Sequence, residues 1–249
     1  MKRQSVRKLI IFISLLLFPI IQYYFSPVLI LAGASEGIIN ASFIIFSLLF
    51  VISIFFGRIF CGWLAPCGGL QEACFNISDK PAKGGRLNMI KFFIWIPWLV
   101  FIAMLAFSAD GYRKIDFFYS IDNGISISSS PHYIIYYSVL FLFVLIPLLF
   151  GKRSMCHYGC WMSPFMITGI NLRKFLNLPS LRLKSNLTKC IKCGVCTKVC
   201  PMSLDVALMV EQNRIDDHEC ILCGECVDGC KSKAIGFTFG REQKNAKQG

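Results

Sequence analysis

Histidine is scarce in this chain of 249 residues: there are three, and none stands in a C-x2-C-H motif. Covalent c-type haem is therefore not indicated, and no pair of histidines lies inside an apolar run to serve as the axial ligands of a b-type haem. The chain has no glycine-rich phosphate loop, no dinucleotide fingerprint and no hydrolytic triad pattern. Its longest apolar runs hold almost no ionisable side chain, which argues against an ion-pumping subunit, because pumps carry some within the bilayer. Acidic residues are also few, 14 against 26 basic ones. Cysteine is the residue present in excess, with 13 copies.

The basic surplus follows the apolar pattern and does not point to nucleic acid. Four apolar spans are readable, at about 9–25, 41–56, 89–108 and 133–150, each near the ~17–25 residues that a bilayer requires. The amino terminus carries Lys2, Arg3, Arg7 and Lys8; the segment between the second and third spans carries Arg58, Lys80, Lys83, Arg86 and Lys91; Lys152 and Arg153 follow the fourth. The intervening segments hold Glu36, and Arg113 and Lys114 against Asp110, Asp116 and Asp122. The positive-inside rule then places both termini in the cytoplasm, on a multi-pass protein of the inner membrane. Ala32-Gly33-Ala34 resembles a signal cleavage site. The apolar stretch before it exceeds a usual signal core, so an uncleaved helix broken or tilted near Pro19 and Pro27 is expected.

The cysteines fall into two sets. Cys190, Cys193, Cys196 and Cys200 follow C-x2-C-x2-C-x3-C-P, and Cys220, Cys223, Cys226 and Cys230 repeat the spacing with Lys231 in place of proline. This is the spacing of bacterial cubane [4Fe-4S] ligation, in which the fourth cysteine of each motif completes the other cluster. Cluster A is therefore assigned to Cys190, Cys193, Cys196 and Cys230, and cluster B to Cys220, Cys223, Cys226 and Cys200. Zinc ribbons also use C-x2-C pairs, but as two separated pairs and not four thiols within eleven residues. An odd cysteine count with ligand spacings argues against a disulfide scaffold, and thiols of this kind belong in a reducing compartment.

The second set sits where the second and fourth spans return. FFGRIFCGWLAPCGGLQEAC holds Cys61, Cys67 and Cys74, and LFGKRSMCHYGCWMSPFM holds Cys156 and Cys160. Both open with an aromatic, a glycine and a basic residue, then place a cysteine, then reach tryptophan and proline. The pattern reads as a duplication of two parallel helical hairpins, related by an axis along the membrane normal. Such an axis brings the loops together at the membrane rim, where Cys61, Cys67, Cys156 and Cys160 would suit a third iron–sulfur cluster. The bland alternative is that these thiols pack as small hydrophobes. Cys74, farthest from the repeated core, is the expected spare. His157 could be a ligand or a hydrogen-bond donor to a cluster, or simply face an interface, and His132 is a weak candidate for quinone contact.

GRIFCGW-x-x-P, a second cysteine loop, four spans and a carboxy-terminal double ferredoxin resemble the NapH-type membrane ferredoxins, the polyferredoxin-like proteins, over nearly the whole chain. In that family each loop is C-x3-C-P. Here Ala65 stands at the second cysteine position of the first loop, with Cys67 two residues on, and Trp161 replaces the proline of the second. The resemblance implies electron transfer between a membrane quinone pool and protein partners, without substrate chemistry of its own. The expected class is an α-helical membrane protein of four transmembrane helices in two parallel helical-hairpin repeats, plus a small α+β ferredoxin domain with two [4Fe-4S] clusters. The expected divisions are a four-helix transmembrane domain at 1–167 with cysteine loops at 58–74 and 151–164, a basic amphipathic linker at 168–189 suited to an anionic membrane surface, the ferredoxin domain at 190–239, and a disordered tail at 240–249. The expected function is an electron-transfer subunit of a redox complex, not a stand-alone catalyst. Its expected partners are the bilayer, flavoprotein, ferredoxin or cytochrome-type subunits, and a quinone. The alternative is a membrane redox sensor or a maturation factor for another metal centre. Lys189, Lys192 and Lys198 near cluster A, against Asp216, Asp217, Glu219, Glu225 and Asp228 near cluster B, predict a higher potential for A.

Overall fold

The computed structural model of the protein describes residues 2–121, 124–127 and 130–241. Helix α1 (Lys2–Leu16) meets α2 (Phe18–Ile21) at a sharp bend, and a 3-10 turn carries the chain to Phe25; the two arms differ in direction by 60°. Pro19 sits in the first turn of α2, where its missing N–H costs nothing, and starts a new helix there. Then come α3 (Pro27–Ser35) and strand β1 (Ile38–Asn40). The Asn40 side chain accepts from the Phe43 backbone N–H at 3.0 Å and so caps α4 (Ala41–Phe56). That helix ends at Gly57, whose φ of 56° lies in the left-handed region that favours glycine.

Short helices α5 (Ile59–Trp63) and α6 (Pro66–Ala73) follow, then α7 (Ile90–Ser108), β2 (Lys114–Asp116) and α8 (Ser130–Phe150). β1 and β2 pair in parallel, Ile38 opposite Lys114, and tie the start of α4 to the segment after α7. After α8 come α9 (Ser154–Tyr158) and α10 (Ser163–Leu176). The carboxy-terminal lobe holds β3 (Ser180–Ser185), α11 (Val195–Lys198), α12 (Val206–Glu211), α13 (Glu225–Asp228) and β4 (Ile235–Gly240). β3 and β4 pair antiparallel, from Ser180 opposite Gly240 to Ser185 opposite Ile235.

The two chain returns have the same local plan. In each, a long apolar helix stops at a glycine of positive φ (Gly57 or Gly151), and a five-residue helix carries a cysteine at its third position (Cys61 or Cys156). A further helix then begins with proline in its first turn (Pro66 or Pro164). The amino end of α1, the carboxy ends of α4 and α8 and the start of α7 all reach the carboxy-terminal lobe. The contacts are Arg3 with Asp228, Arg58 and Lys91 with Glu219, and His157 with the Met202 carbonyl.

Two stretches are long and apolar enough to cross a membrane, Gly85–Ser108 with 24 residues and His132–Phe150 with 19; the bent pair Lys2–Leu16 and Phe18–Phe25 qualifies jointly. α4 has 16 residues, or ~24 Å of helix against a hydrocarbon core of ~30 Å, so it is shorter than a full span. Its length is set by Asn40 at one end and Gly57 at the other. Large side chains point outward from these helices, including Phe93, Phe107, Ile134 and Phe141, as lipid-facing surfaces do. Behind them runs one continuous core, from Phe46, Leu49 and Met166 through Cys61, Cys156 and Cys160 to Ile221, Leu222 and Cys226 of the lobe.

The segment 168–189 differs from the linker expected of it. Residues up to Leu176 complete α10, which packs against α4, and Ser180–Ser185 is a sheet strand. Leu181 and Leu183 alternate with polar residues at the period of a strand, and pairing with β4 buries Leu183 in the core. Gly240 closes β4, and residues 242–249 of the expected tail lie outside the described residues. The α4–α10 crossing depends on Gly169, where a Cβ would collide with Ser53 Oγ and the Phe50 carbonyl. Gly169→Val should lower stability in detergent by about 1–3 kcal/mol through overpacking, measured as a lower unfolding midpoint. Leu176→Val, at a half-exposed position of the same helix, should leave that midpoint nearly unchanged.

Candidate metal centre

Two cysteine loops of the carboxy-terminal lobe have matching backbones. Lys192 and Leu222 adopt φ of 53° and 50°, and Gly194 and Gly224 adopt 70° and 79°, before α11 and α13 begin. This repeated left-handed pair curls each C-x2-C-x2-C run around a hollow. Cys190, Cys193 and Cys196 line one cavity together with Cys230. Cys220, Cys223 and Cys226 line another together with Cys200. Each cavity therefore takes its fourth thiol from the other motif, and each offers the four thiols that a cubane requires. Cys193 is exposed, whereas Cys200, Cys223 and Cys226 are buried. Burial pushes the Cys223 thiol up to about 11, so its ionisation awaits a metal ion. Cys230 Sγ accepts from the Ala234 backbone N–H at 3.2 Å.

The second set of cysteines also converges. Cys61, Cys67, Cys156 and Cys160 are all buried. Burial, then the Cys156 and Cys61 thiols beside it, push Cys160 up to about 12. Burial, then Cys160 and Cys156, raise Cys67 well above its ordinary value. Gln71 Nε2 donates to Cys156 Sγ at 3.2 Å, and Met166 Sδ lies 3.5 Å from Cys61 Sγ. Cys74 differs: its thiol donates to the Leu70 carbonyl at 3.3 Å, one turn back along the chain. Among the described residues, no three histidine, cysteine or carboxylate side chains close on one point as ligands of a single metal ion do.

Between the two regions lies a dense set of buried charges. Arg58 is fully buried and donates to Glu219 Oε2 at 2.5 Å; Lys91 pairs with the other Glu219 oxygen. Burial works against the Glu219 carboxylate, yet Arg58 and Lys91 hold it down at about 2. Arg153, also fully buried, donates to Glu72 at 2.6 Å and to the Cys61 carbonyl at 2.8 Å. Arg7 joins Glu72 to Glu225 at 2.9 and 2.8 Å. His157 is buried between Asn88 Oδ1 and the Met202 carbonyl, each at 3.0 Å. Burial pushes it down to about 4, so it is neutral and its one N–H serves one of the two partners. His157 thus bridges the α9 loop to the lobe. His132 stacks edge-on against Tyr23 at 5.2 Å.

The backbones touch most closely at Gly62, where a Cβ would collide with the Ile221 carbonyl oxygen. Trp63 Nε1 donates to the Leu222 carbonyl at 3.1 Å, and Gln4 Nε2 to the Cys223 carbonyl at 3.0 Å. The Cys61 loop therefore lies directly on the Cys220–Cys226 loop, while the exposed Cys193 loop belongs to the other cavity. The carboxylates read from the sequence as a negative field are mostly ion-paired: Glu219 with Arg58 and Lys91, Glu225 with Arg7, Asp228 with Arg3, and Asp216 with Lys174 and Arg214. Paired charges cancel at a distance, which removes most of the expected asymmetry between the two cavities. Arg58, Arg153, Glu72 and Glu219 carry this arrangement, and only the repeated aromatic-glycine-basic pattern hinted at the two arginines.

Residues 41–83 match the family described as "4Fe-4S binding domain", and residues 182–231 match the "4Fe-4S dicluster domain". An uncharacterized protein of Methanocaldococcus jannaschii is 26% identical over 200 residues, covering 78% of this chain and 78% of that protein. The putative electron transport protein YccM of Escherichia coli is 24% identical over 240 residues, covering 88% of this chain and 61% of that one. The NAD(P)H-quinone oxidoreductase subunit I of Gloeobacter violaceus is 34% identical over 76 residues, covering 24% and 36%. No solved structure matches the chain.

Gly62→Val is expected to force the Cys61 loop off the lobe. Limited proteolysis in detergent should then release the carboxy-terminal lobe at least several-fold faster than in the parent protein; unchanged cleavage would show that the loops do not need this close approach.

Proposed function

We propose that this chain, which carries two 4Fe-4S family matches and resembles the NapH-type, polyferredoxin-like membrane ferredoxins, relays electrons between a soluble redox partner and a membrane quinone or membrane redox subunit. It is an iron–sulfur electron-transport protein whose apolar helices mark it as a membrane protein. Under this proposal Cys190, Cys193, Cys196 and Cys230 hold one [4Fe-4S] cluster, and Cys220, Cys223, Cys226 and Cys200 hold a second. Cys61, Cys67, Cys156 and Cys160 hold a third iron–sulfur cluster at the rim. Such clusters, when bound, accept and release single electrons at potentials tuned by charge, burial and hydrogen bonds to sulfur. Under the same proposal the bent α1–α2 pair, α7 and α8 cross the bilayer and the 16-residue α4 completes the first of two parallel hairpins as a shortened span, with the basic ends and the ferredoxin lobe facing the cytoplasm.

The observation that carries this proposal is the stacking of the Cys61 loop on the Cys220–Cys226 loop. It supports a linear order in which the exposed Cys193 end meets a soluble partner and the rim site faces the bilayer. The chain's own residues maintain that order. Gly62 permits contact of the two backbones, Arg7 and Arg153 tie α1 and the α9 loop to Glu72, and His157 spans the remaining gap to Met202. Apolar packing runs from Cys61, Cys156 and Cys160 to Ile221, Leu222 and Cys223, beside the buried ion pairs.

Protein purified anaerobically in mild detergent should contain about twelve iron and twelve acid-labile sulfide per chain, and Cys156→Ser should lower both by about four. About eight in the parent protein would confine the metal to the ferredoxin lobe. Membranes lacking the chain should lose quinone-linked electron flow; loss only of another enzyme's maturation would identify a maturation factor instead.

A further inference from the structure

We propose that Arg58 is the positioning residue that tunes the rim site, directing N–H groups at its sulfur atoms while its remaining nitrogen anchors the site to the ferredoxin lobe. This inference rests on the assignment of Cys61, Cys67, Cys156 and Cys160 as cluster ligands.

The guanidinium of Arg58 is fully buried. Its Nη1 donates to Glu219, but Nε and Nη2 have no hydrogen-bond partner among the described residues. Orphaned donors in a dry interior forfeit their hydration with nothing returned, so such groups are rare in folded proteins. The neighbours of Arg58 are Cys61, Cys156 and Cys160, whose ionised sulfurs would be its electrostatic partners after Glu219. A neutral thiol is a weak acceptor. A cluster-bound thiolate or sulfide is an anionic one, and charge-assisted bonds are the stronger kind. A metal-bound sulfur would satisfy these donors better than a neutral thiol does.

The charges agree with this. Arg7, Arg58, Lys91 and Arg153 are all buried to within about two per cent of complete, against the carboxylates of Glu72 and Glu219 and, at the boundary, Glu225. Cations outnumber carboxylates in this interior. Four thiolates on a doubly charged iron–sulfur core leave a net negative site, which is the counter-charge that the excess requires. Reduction adds one more electron to that site. A cation held beside it stabilises the reduced form and raises the potential, and N–H···S bonds act in the same direction.

A purely structural Arg58, present only to pair with Glu219, would be replaced by lysine without electronic effect. The test uses the full chain in detergent, with Arg58→Lys and Glu219→Gln, read by iron per chain and by redox titration followed by electron paramagnetic resonance. Arg58→Lys keeps the charge and a donor for Glu219 but loses the directed planar fork. The expected result is a rim signal whose midpoint potential falls in Arg58→Lys but does not fall in Glu219→Gln, which leaves Arg58 in place and removes an anion from its side. Loss of the rim iron alone in Arg58→Lys, with the roughly eight irons of the ferredoxin lobe retained, supports the same role. An unchanged rim potential in Arg58→Lys overturns the inference and leaves the three-cluster relay standing, as does an equal fall in both variants or loss of every cluster, each of which marks Arg58 as structural. A parent protein with only about eight irons overturns both.

Discussion

Glu219 is a carboxylate in a nearly dry interior, and two cations from different helices meet on it. Arg58 comes from the turn after α4 and Lys91 from the start of α7. Removing three charges from water is costly, and the cost is offset only when each has its partner in place. The consequence is geometric. Neither helix end can move away from the carboxy-terminal lobe without stranding a charge, and Glu219 immediately precedes Cys220. The same logic recurs at Glu72, shared by Arg7 from α1 and Arg153 from the turn after α8. Two carboxylates thus gather four helix ends around the cysteine loops, and the apolar core closes over them.

This explains why two loops that each carry a cysteine at the third position of a five-residue helix arrive at one place. Gly57 and Gly151, both with positive φ, turn the chain so that Arg58 and Arg153 point inward. Arg153 then holds the Cys61 loop through a hydrogen bond to the Cys61 carbonyl, and Arg58 holds the turn before it to Glu219. A local repeat in sequence becomes a shared site because its basic residue finds a carboxylate in a different part of the chain.

The grouping of the carboxy-terminal cysteines was legible because the spacing of thiols around a small hollow is a local property. The two motifs between Cys190 and Cys230 suffice to group Cys230 with the first and Cys200 with the second, and the cavities have those linings. Distance along the repeat also separated Cys67, which lies beside Cys160 and Cys156, from Cys74, which bonds back to the Leu70 carbonyl. What could not be read depends on partners far away in the chain. The strand Ser180–Ser185 alternates Leu181 and Leu183 with polar residues, but its charge resembled a membrane-surface segment until β4 was there to pair with it. The acids around Cys220–Cys230 looked like a field because their cations lie 161 and 218 residues away. Helix lengths were partly legible: Asn40 and Gly57 cut α4 to 16 residues, a limit set by capping and not by hydropathy.

The contacts of α1 have a consequence for biogenesis. Arg3, Gln4 and Arg7 leave the ribosome long before their partners Asp228, Cys223 and Glu225, which follow them by 225, 219 and 218 residues. These contacts of the first helix must therefore wait until the carboxy-terminal lobe has been made. On the proposed ligation that lobe acquires its compact form as its cysteines are ligated, because small metal-bound domains fold with their metal. Cofactor delivery is then the event that clamps the waiting helix, and a chain that leaves the insertion machinery without iron carries an unclamped segment for membrane proteases to recognise.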